Sequence, residues 1–169
     1  LFLGRVIREK GIEEAYEASR LSGMPLKIAG PGDEKWIKES FPEAEYLGQV
    51  AAGKRKALLA EASALVAFTH YVEPFGNVAV EALCSGTPVL SSDWGVFTET
   101  VPNGVAGWCC CDVLQLAAAM RRVRDGDMDG ITAAGCAAFA ERFHLKNIWP
   151  RYAAYFEYQH GLFKKENGY

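Results

Sequence analysis

Short apolar runs alternate with stretches whose apolar positions recur every three to four residues, from the first residue to about position 112. The runs read as strands near Leu1–Gly4, Leu26–Ala29, Glu45–Leu47, Leu65–Phe68, Val89–Ser91 and Val105–Trp108. Helical periodicity fills the gaps near Ile12–Leu21, Glu34–Ser40, Lys54–Ala62 and Asn77–Ser85, each stretch closing near a Gly, Pro or Ser. Strands alternating with helices are the signature of βαβ units, whose crossovers make a sheet parallel. The fold class expected is therefore α/β, a Rossmann-like parallel six-stranded sheet with helices on both faces, within one domain spanning residues 1–169. Ligands of such sheets gather outside the carboxyl ends of the strands, where strand order reverses, so the loops after the strands are where chemistry is expected.

Beyond position 112 the strand signal stops, and Val113–Arg124, Asp127–Phe143 and Lys146–His160 read as C-terminal helices punctuated by Gly126 and Gly130. The last segment carries Trp149, Tyr152, Tyr155, Phe156, Tyr158 and Phe163. Aromatic stripes at helical spacing normally belong to a core, so this segment is expected to pack on its own sheet. The alternative is that part of it docks against a domain outside this chain.

Composition narrows the function classes. A chain of 169 residues can bury a core without disulfides or metal, and 50% hydrophobic against 23% charged residues places it among soluble globular proteins. No apolar run approaches the length of a bilayer span, which leaves peripheral association as the membrane role to consider. With 18 basic against 21 acidic residues, no global basic field recommends nucleic acid, and any phosphate site has to be local. Cys84, Cys109, Cys110, Cys111 and Cys136 form no disulfide framework, and successive residues of the triplet point to opposite faces of a strand, so packing is preferred to a metal site. Reduced thiols and the lack of a signal-peptide pattern make a cytoplasmic location the expectation. The chain opens inside an apolar run without a Met, which reads as part of something longer.

The strongest chemical segment runs from His70 to Val89. Pro74 keeps Glu73 out of the helical region and so in the loop, while Glu81 falls in the second turn of the following helix. Gly76 lets a ligand approach the free N–H groups at the helix start, where the dipole favours an anion such as phosphate. The helix is apolar nearly all round (Val78, Ala79, Val80, Ala82, Leu83, Cys84), which predicts burial and a need for partners around Glu81. Taken singly, Glu73 reads as a loop carboxylate favoured by the helix dipole, and Glu81 as half of an ion pair with a nearby Lys or Arg.

The whole stretch closely resembles the E-x7-E signature of the retaining glycosyltransferases of GT-B fold, family 4, also called group 1. Glu73-Pro74-Phe75-Gly76, Glu81-Ala82 and Ser85-Gly86-Thr87-Pro88-Val89 carry it together. Gly4-Arg5 with Glu9-Lys10-Gly11, Ile28 to Gly32, Tyr46 to Val50, and Ser92-Asp93 with Glu99 and Gly104 to Gly107 extend it over most of the chain. The resemblance implies the C-terminal, donor-binding half of a GT-B enzyme, incomplete without an N-terminal acceptor domain. It implies that Arg5 and Lys10 hold the donor's diphosphate without metal or cofactor, which suits a site that must stabilise a departing pyrophosphate with fixed cations. Glu81 would bind the ribose, and Glu73 would lie by the transferred sugar. Gly4, Phe75, Gly76, Asn77 and Val78 would meet sugar and phosphate through the backbone, and Gln49 and Val50 would hold the base.

Where many members carry two glycines and a proline, this chain reads Trp94-Gly95-Val96-Phe97-Thr98, and Trp94 and Phe97 are expected to cover the sheet end. Gly48 to Arg55 nearly spells a P-loop, but Arg55 stands where a Mg²⁺-binding hydroxyl belongs, so Gly53-Lys54 reads as the polar start of a surface helix. His70 either lines the site or is a structural or solvent-facing residue. Two carboxylates flanking a scissile sugar bond, as in glycosidases, fit poorly here, because a carboxylate on the ribose cannot also flank that bond. The rival readings are a nucleotide-binding or interaction module that transfers nothing, and a sugar-nucleotide epimerase.

Overall fold

The computed structural model describes residues 1–168. Six parallel strands form one sheet in the order β3-β2-β1-β4-β5-β6: β1 Phe2–Leu3, β2 Lys27–Ala29, β3 Glu45–Tyr46, β4 Leu65–Ala67, β5 Val89–Ser92 and β6 Gly107–Cys110. The helices are α1 Ile12–Ser22, α2 Glu34–Ser40, α3 Ala52–Glu61, α4 Asn77–Cys84, α5 Phe97–Thr100, α6 Val113–Asp125, α7 Ala133–Ala140 and α8 Leu145–Asn167. The chain builds outward from β1 through β2 to β3, then returns to start β4 on the other side of β1. The order therefore reverses between β1 and β4, the point at which sheets of this kind hold their ligands, outside the carboxyl ends of the strands.

Helices cover both faces. On one, α1 presents Ile12, Ala15 and Ala18 and α6 presents Leu116, Ala117 and Met120, packing with Phe2, Ile28, Val66 and Leu90. On the other, Leu58 and Leu59 of α3, Ala79, Ala82 and Leu83 of α4, and Cys136 and Ala140 of α7 pack with Leu3, Leu65 and Val89. Both α1 and α6 end on a left-handed glycine, Gly23 and Gly126, and Asp112 caps α6 by accepting from the Gln115 amide at 2.8 Å. The cysteine triplet follows the strand alternation: Cys110 is buried on the α1/α6 side and Cys109 packs on the other. Burial pushes the Cys110 thiol up to about 12.

Four expectations need correction. The last strand lies at Gly107–Cys110 rather than 105–108, because the 102–107 segment closes a tight turn in which the Val105 and Ala106 amides both donate to Pro102 O at 3.1 Å. The helix expected over Asp127–Phe143 is cut down to Ala133–Ala140 and a 3-10 turn at Glu141–Phe143, with Thr132 capping α7 through the Gly135 amide at 3.0 Å. The α4 helix is not buried all round: Ala79, Ala82 and Leu83 are buried, while Glu81 and Cys84 face outward. Most consequentially, α8 has no buried residue, and Trp149, Tyr152, Tyr155, Phe156, Tyr158 and Phe163 are each more than half exposed. Its aromatic residues do not pack on the sheet.

Candidate functional site

Two backbone devices assemble the crevice between β1 and β4. The 3-10 turn Arg8–Lys10 ends on Gly11, whose φ of 72° is left-handed and whose α-carbon sits against the Phe68 carbonyl, so any side chain there would collide with the end of β4. The His70 amide donates to Glu9 O at 2.9 Å across the same seam. Lys10 is thereby delivered to the loop that follows β4. Its Nζ lies 2.9 Å from Glu73 Oε2, and Tyr71 donates its phenolic proton to the same oxygen at 2.5 Å. The ammonium also donates to the Tyr71 hydroxyl, at the edge of its ring. Lys10 and Glu73 are 22% and 16% exposed at their side chains, so both keep one open side while most of their water is gone.

Glu73 is held from behind as well. The Val96 amide donates to Glu73 O at 3.3 Å, and Trp94 Nε1 donates to Thr69 O at 2.9 Å, so the 93–96 loop braces the segment. Phe97, on the four-residue α5 that follows, is 1% exposed. Trp94 and Phe97 do cover the sheet end, Phe97 as core and Trp94 as a half-exposed lid.

The start of α4 is an open donor array. Gly76, with φ 72° and ψ 51°, is the N-cap and offers no side chain to the first turn. Among the described residues, the amides of Phe75, Gly76, Asn77 and Val78 donate to no protein acceptor. Four successive free N–H groups at the positive end of a helix form an anion site by geometry alone.

One turn on, Glu81 has a different neighbourhood. Arg55 of α3 places Nε 2.6 Å and Nη2 2.5 Å from Glu81 Oε2, and the carboxylate side chain is 44% exposed. Arg55, which the sequence presented only as the flaw in a P-loop, is thus the partner of the second carboxylate; Gly53 and Lys54 are exposed in the first turn of α3, as expected. Gln49 and Val50 follow β3, two strands from β1, and lead into α3. Gly4 and Arg5 follow β1 directly; Arg5 is exposed and makes no side-chain hydrogen bond or ion pair among the described residues. His70 is turned toward Glu14, with Nε2 2.9 Å from Oε1, rather than toward Glu73.

Gly4, Arg5, Lys10, Glu73 and the α4 amides therefore share the switch point, whereas Glu81 with Arg55, and Gln49 with Val50, occupy the α3/α4 flank. Tyr71 is a neighbour of Lys10 and Glu73 that the sequence pattern did not single out. The signal was its position two residues before Glu73, since side chains two apart share a side of an extended chain. Among the described residues no three His, Cys, Asp or Glu side chains converge as a metal site, and no helix is long and apolar enough to cross a membrane.

The model of the family "Glycosyl transferases group 1" matches residues 1–128. The chain belongs to the group 1 glycosyltransferases. As a group 1 glycosyltransferase it is 39% identical over 139 residues to a glycogen synthase of Mycobacterium tuberculosis, covering 74% of this chain and 33% of that protein. It is 31% identical over 144 residues to a phosphatidyl-myo-inositol mannosyltransferase of Mycolicibacterium smegmatis, covering 79% and 34%. Among solved structures, the glycosyltransferase AviGT4 of avilamycin A biosynthesis superposes with a TM-score of 0.78 at 27% identity, over 93% of this chain and 50% of that one. Anabaena HepE, solved with UDP-glucose, gives a TM-score of 0.77 at 22% identity, covering 92% and 48%. The chain spans about a third of the length of these curated relatives and about half of these solved chains.

Proposed function

We propose that this domain binds a nucleoside-diphosphate sugar at the β1/β4 switch point and acts as the donor half of a retaining, metal-independent glycosyltransferase. The acceptor-binding half lies in the part of the relatives' length that this chain does not span. The observation that carries this reading is the run of four unpaired amides, Phe75 to Val78, beginning a helix beside the strand ends that hold Arg5 and Lys10. A diphosphate lying there meets donors on one side and the cations of Arg5 and Lys10 on the other. Those cations are matched to the leaving nucleoside diphosphate, whose negative charge grows as the bond to the anomeric carbon breaks. Glu73 meets the sugar with the carboxylate oxygen that Lys10 and Tyr71 leave open, ordering its hydroxyls and offsetting positive charge at the anomeric carbon. Glu81 offers Oε1 to the ribose diol while Arg55 holds Oε2. The acceptor then attacks from the face the diphosphate leaves.

A second reading, a module that binds the nucleotide and transfers nothing, draws on one observation: both carboxylates already carry a cationic partner within the chain. Thermal unfolding tests the binding common to both. A saturating nucleoside diphosphate in EDTA, from among UDP, ADP and GDP, is expected to raise Tm by about 5–10 °C, the shift that ligand at 100 times its Kd gives a domain of this size. No shift with any of the three removes both readings. Transfer measured with the acceptor half present decides between them.

A further inference from the structure

On the α1/α6 side of the sheet, the carboxyl ends of β4, β5 and β6 border a cleft that the donor reading does not use. Thr69, His70, Ser92, Asp93, Trp94 and Cys111 line it, and its volume of about 320 Å³ suits one small ligand. Its chemistry differs from that of the switch point. Among the described residues no Lys or Arg lines it. Ser92 Oγ, on a residue only 4% exposed, has no hydrogen-bond partner among the described residues, and a buried hydroxyl in that state calls for a ligand or an ordered water. The Asp93 side chain is exposed and, among the described residues, accepts a single hydrogen bond, from the Cys111 thiol at 3.3 Å; that bond holds the thiol above its ordinary pKa and therefore protonated. Most of the carboxylate's acceptor capacity stays open.

Trp94 supplies an apolar wall. Its ring is fixed by the Nε1 bond to Thr69 O at 2.9 Å, yet the residue is 41% exposed. A pinned aromatic plate beside an open carboxylate and an orphaned hydroxyl matches a ring that has an apolar C–H face and a rim of hydroxyls. An anion fits poorly, because Asp93 would repel it and neither Lys nor Arg stands in the lining to compensate. We propose that this cleft is a subsite for one neutral pyranose ring of the acceptor saccharide, stacked on Trp94 with hydroxyls bonded to Asp93 and Ser92. That the ring belongs to the acceptor rests on the glycosyltransferase reading above; that the cleft takes a neutral saccharide does not.

The test is a ¹H–¹⁵N NMR titration of this chain with the methyl α-pyranosides of glucose, mannose and galactose, and separately with inorganic phosphate. At least one glycoside is expected to move the Trp94 indole N–H resonance saturably, with an apparent Kd on the order of millimolar, as expected for a single small ring. The Asp93→Asn variant, nearly isosteric at an exposed position, is expected to weaken that binding about tenfold, as losing a charge-assisted hydrogen bond should, with its spectral dispersion reporting that it remains folded. Ser92→Ala should weaken it by a smaller factor. The inference is overturned by a Trp94 resonance that no glycoside moves, by phosphate moving it as strongly, or by binding indifferent to Asp93→Asn. A nucleoside diphosphate added to the same samples keeps the two proposals apart. Shifts at Lys10 and Phe75 to Val78 alongside a still Trp94 would leave donor binding standing and remove the subsite.

Discussion

Glu73 and Glu81 are the two ends of one sequence signature, yet they occupy opposite kinds of place. Glu73 sits in a loop, 16% exposed at its side chain, tied to the ammonium of Lys10 and the phenol of Tyr71 and backed by the Val96 amide. Glu81 stands in the second turn of α4, 44% exposed, and answers to one guanidinium on the neighbouring helix. Pro74 and the left-handed Gly76 create the difference: they delay the helix so that the first carboxylate stays in the crevice while the second rides on a rigid flank. A mostly desolvated carboxylate with a fixed orientation suits stabilisation of charge that develops during reaction. A half-solvated one suits recognition of a diol that arrives already formed.

Four substitutions sharpen or break that contrast. The largest effect is expected for Glu73→Gln in an enzyme that includes the acceptor half: turnover should fall roughly 100- to 1,000-fold, the loss typical of one preorganised electrostatic group, with donor affinity nearly unchanged. Steady-state kinetics read beside direct donor binding check this, and an equal loss in both would place Glu73 in recognition. Next comes Glu81→Ala, which should weaken nucleoside-diphosphate binding about 10- to 100-fold, the worth of hydrogen bonds to a charged group, as measured by calorimetry on this chain. Tyr71→Phe keeps the ring and removes the hydroxyl that donates to Glu73 and accepts from Lys10. Because Lys10 keeps its bond to Glu73, turnover should fall about fivefold, near 1 kcal/mol for one net hydrogen bond, with donor binding unchanged. The smallest effect belongs to Arg55→Gln, expected to lower nucleotide affinity only about two- to fivefold, because a largely exposed ion pair contributes little and the carboxylate it orients remains. An Arg55 effect larger than that of Glu81→Ala would mean that the guanidinium itself binds the ligand.

Much of this arrangement was legible beforehand, for reasons that differ by element. The six strands and the helices between them are local patterns with the right period, and each lies within a few residues of its expected place. The start of α4 was readable because Pro74 and Gly76 act on their own backbone. The false P-loop resolved into a surface helix by the same local logic. What the sequence concealed depends on tertiary neighbours. The four-residue α5 is too short to show a period, and the Arg55 to Glu81 pair joins positions on different helices. The exposure of α8 went unread because an aromatic stripe looks the same whether or not a surface covers it. Whether Trp94 and Asp93 brace a loop or line a cleft is likewise decided by β4 and β6, which lie beside them only once the sheet has formed.

The central claim is that the switch point is a diphosphate site, and a crystal structure of this chain grown with the nucleoside diphosphate that most raises its Tm, in EDTA, tests it most directly. Phosphate density is expected within hydrogen-bonding distance of the Phe75 to Val78 amides and of Arg5 or Lys10, with the ribose hydroxyls on Glu81 Oε1. Nucleotide bound elsewhere on the molecule, or bound here with the phosphates directed away from the α4 amides, would contradict it.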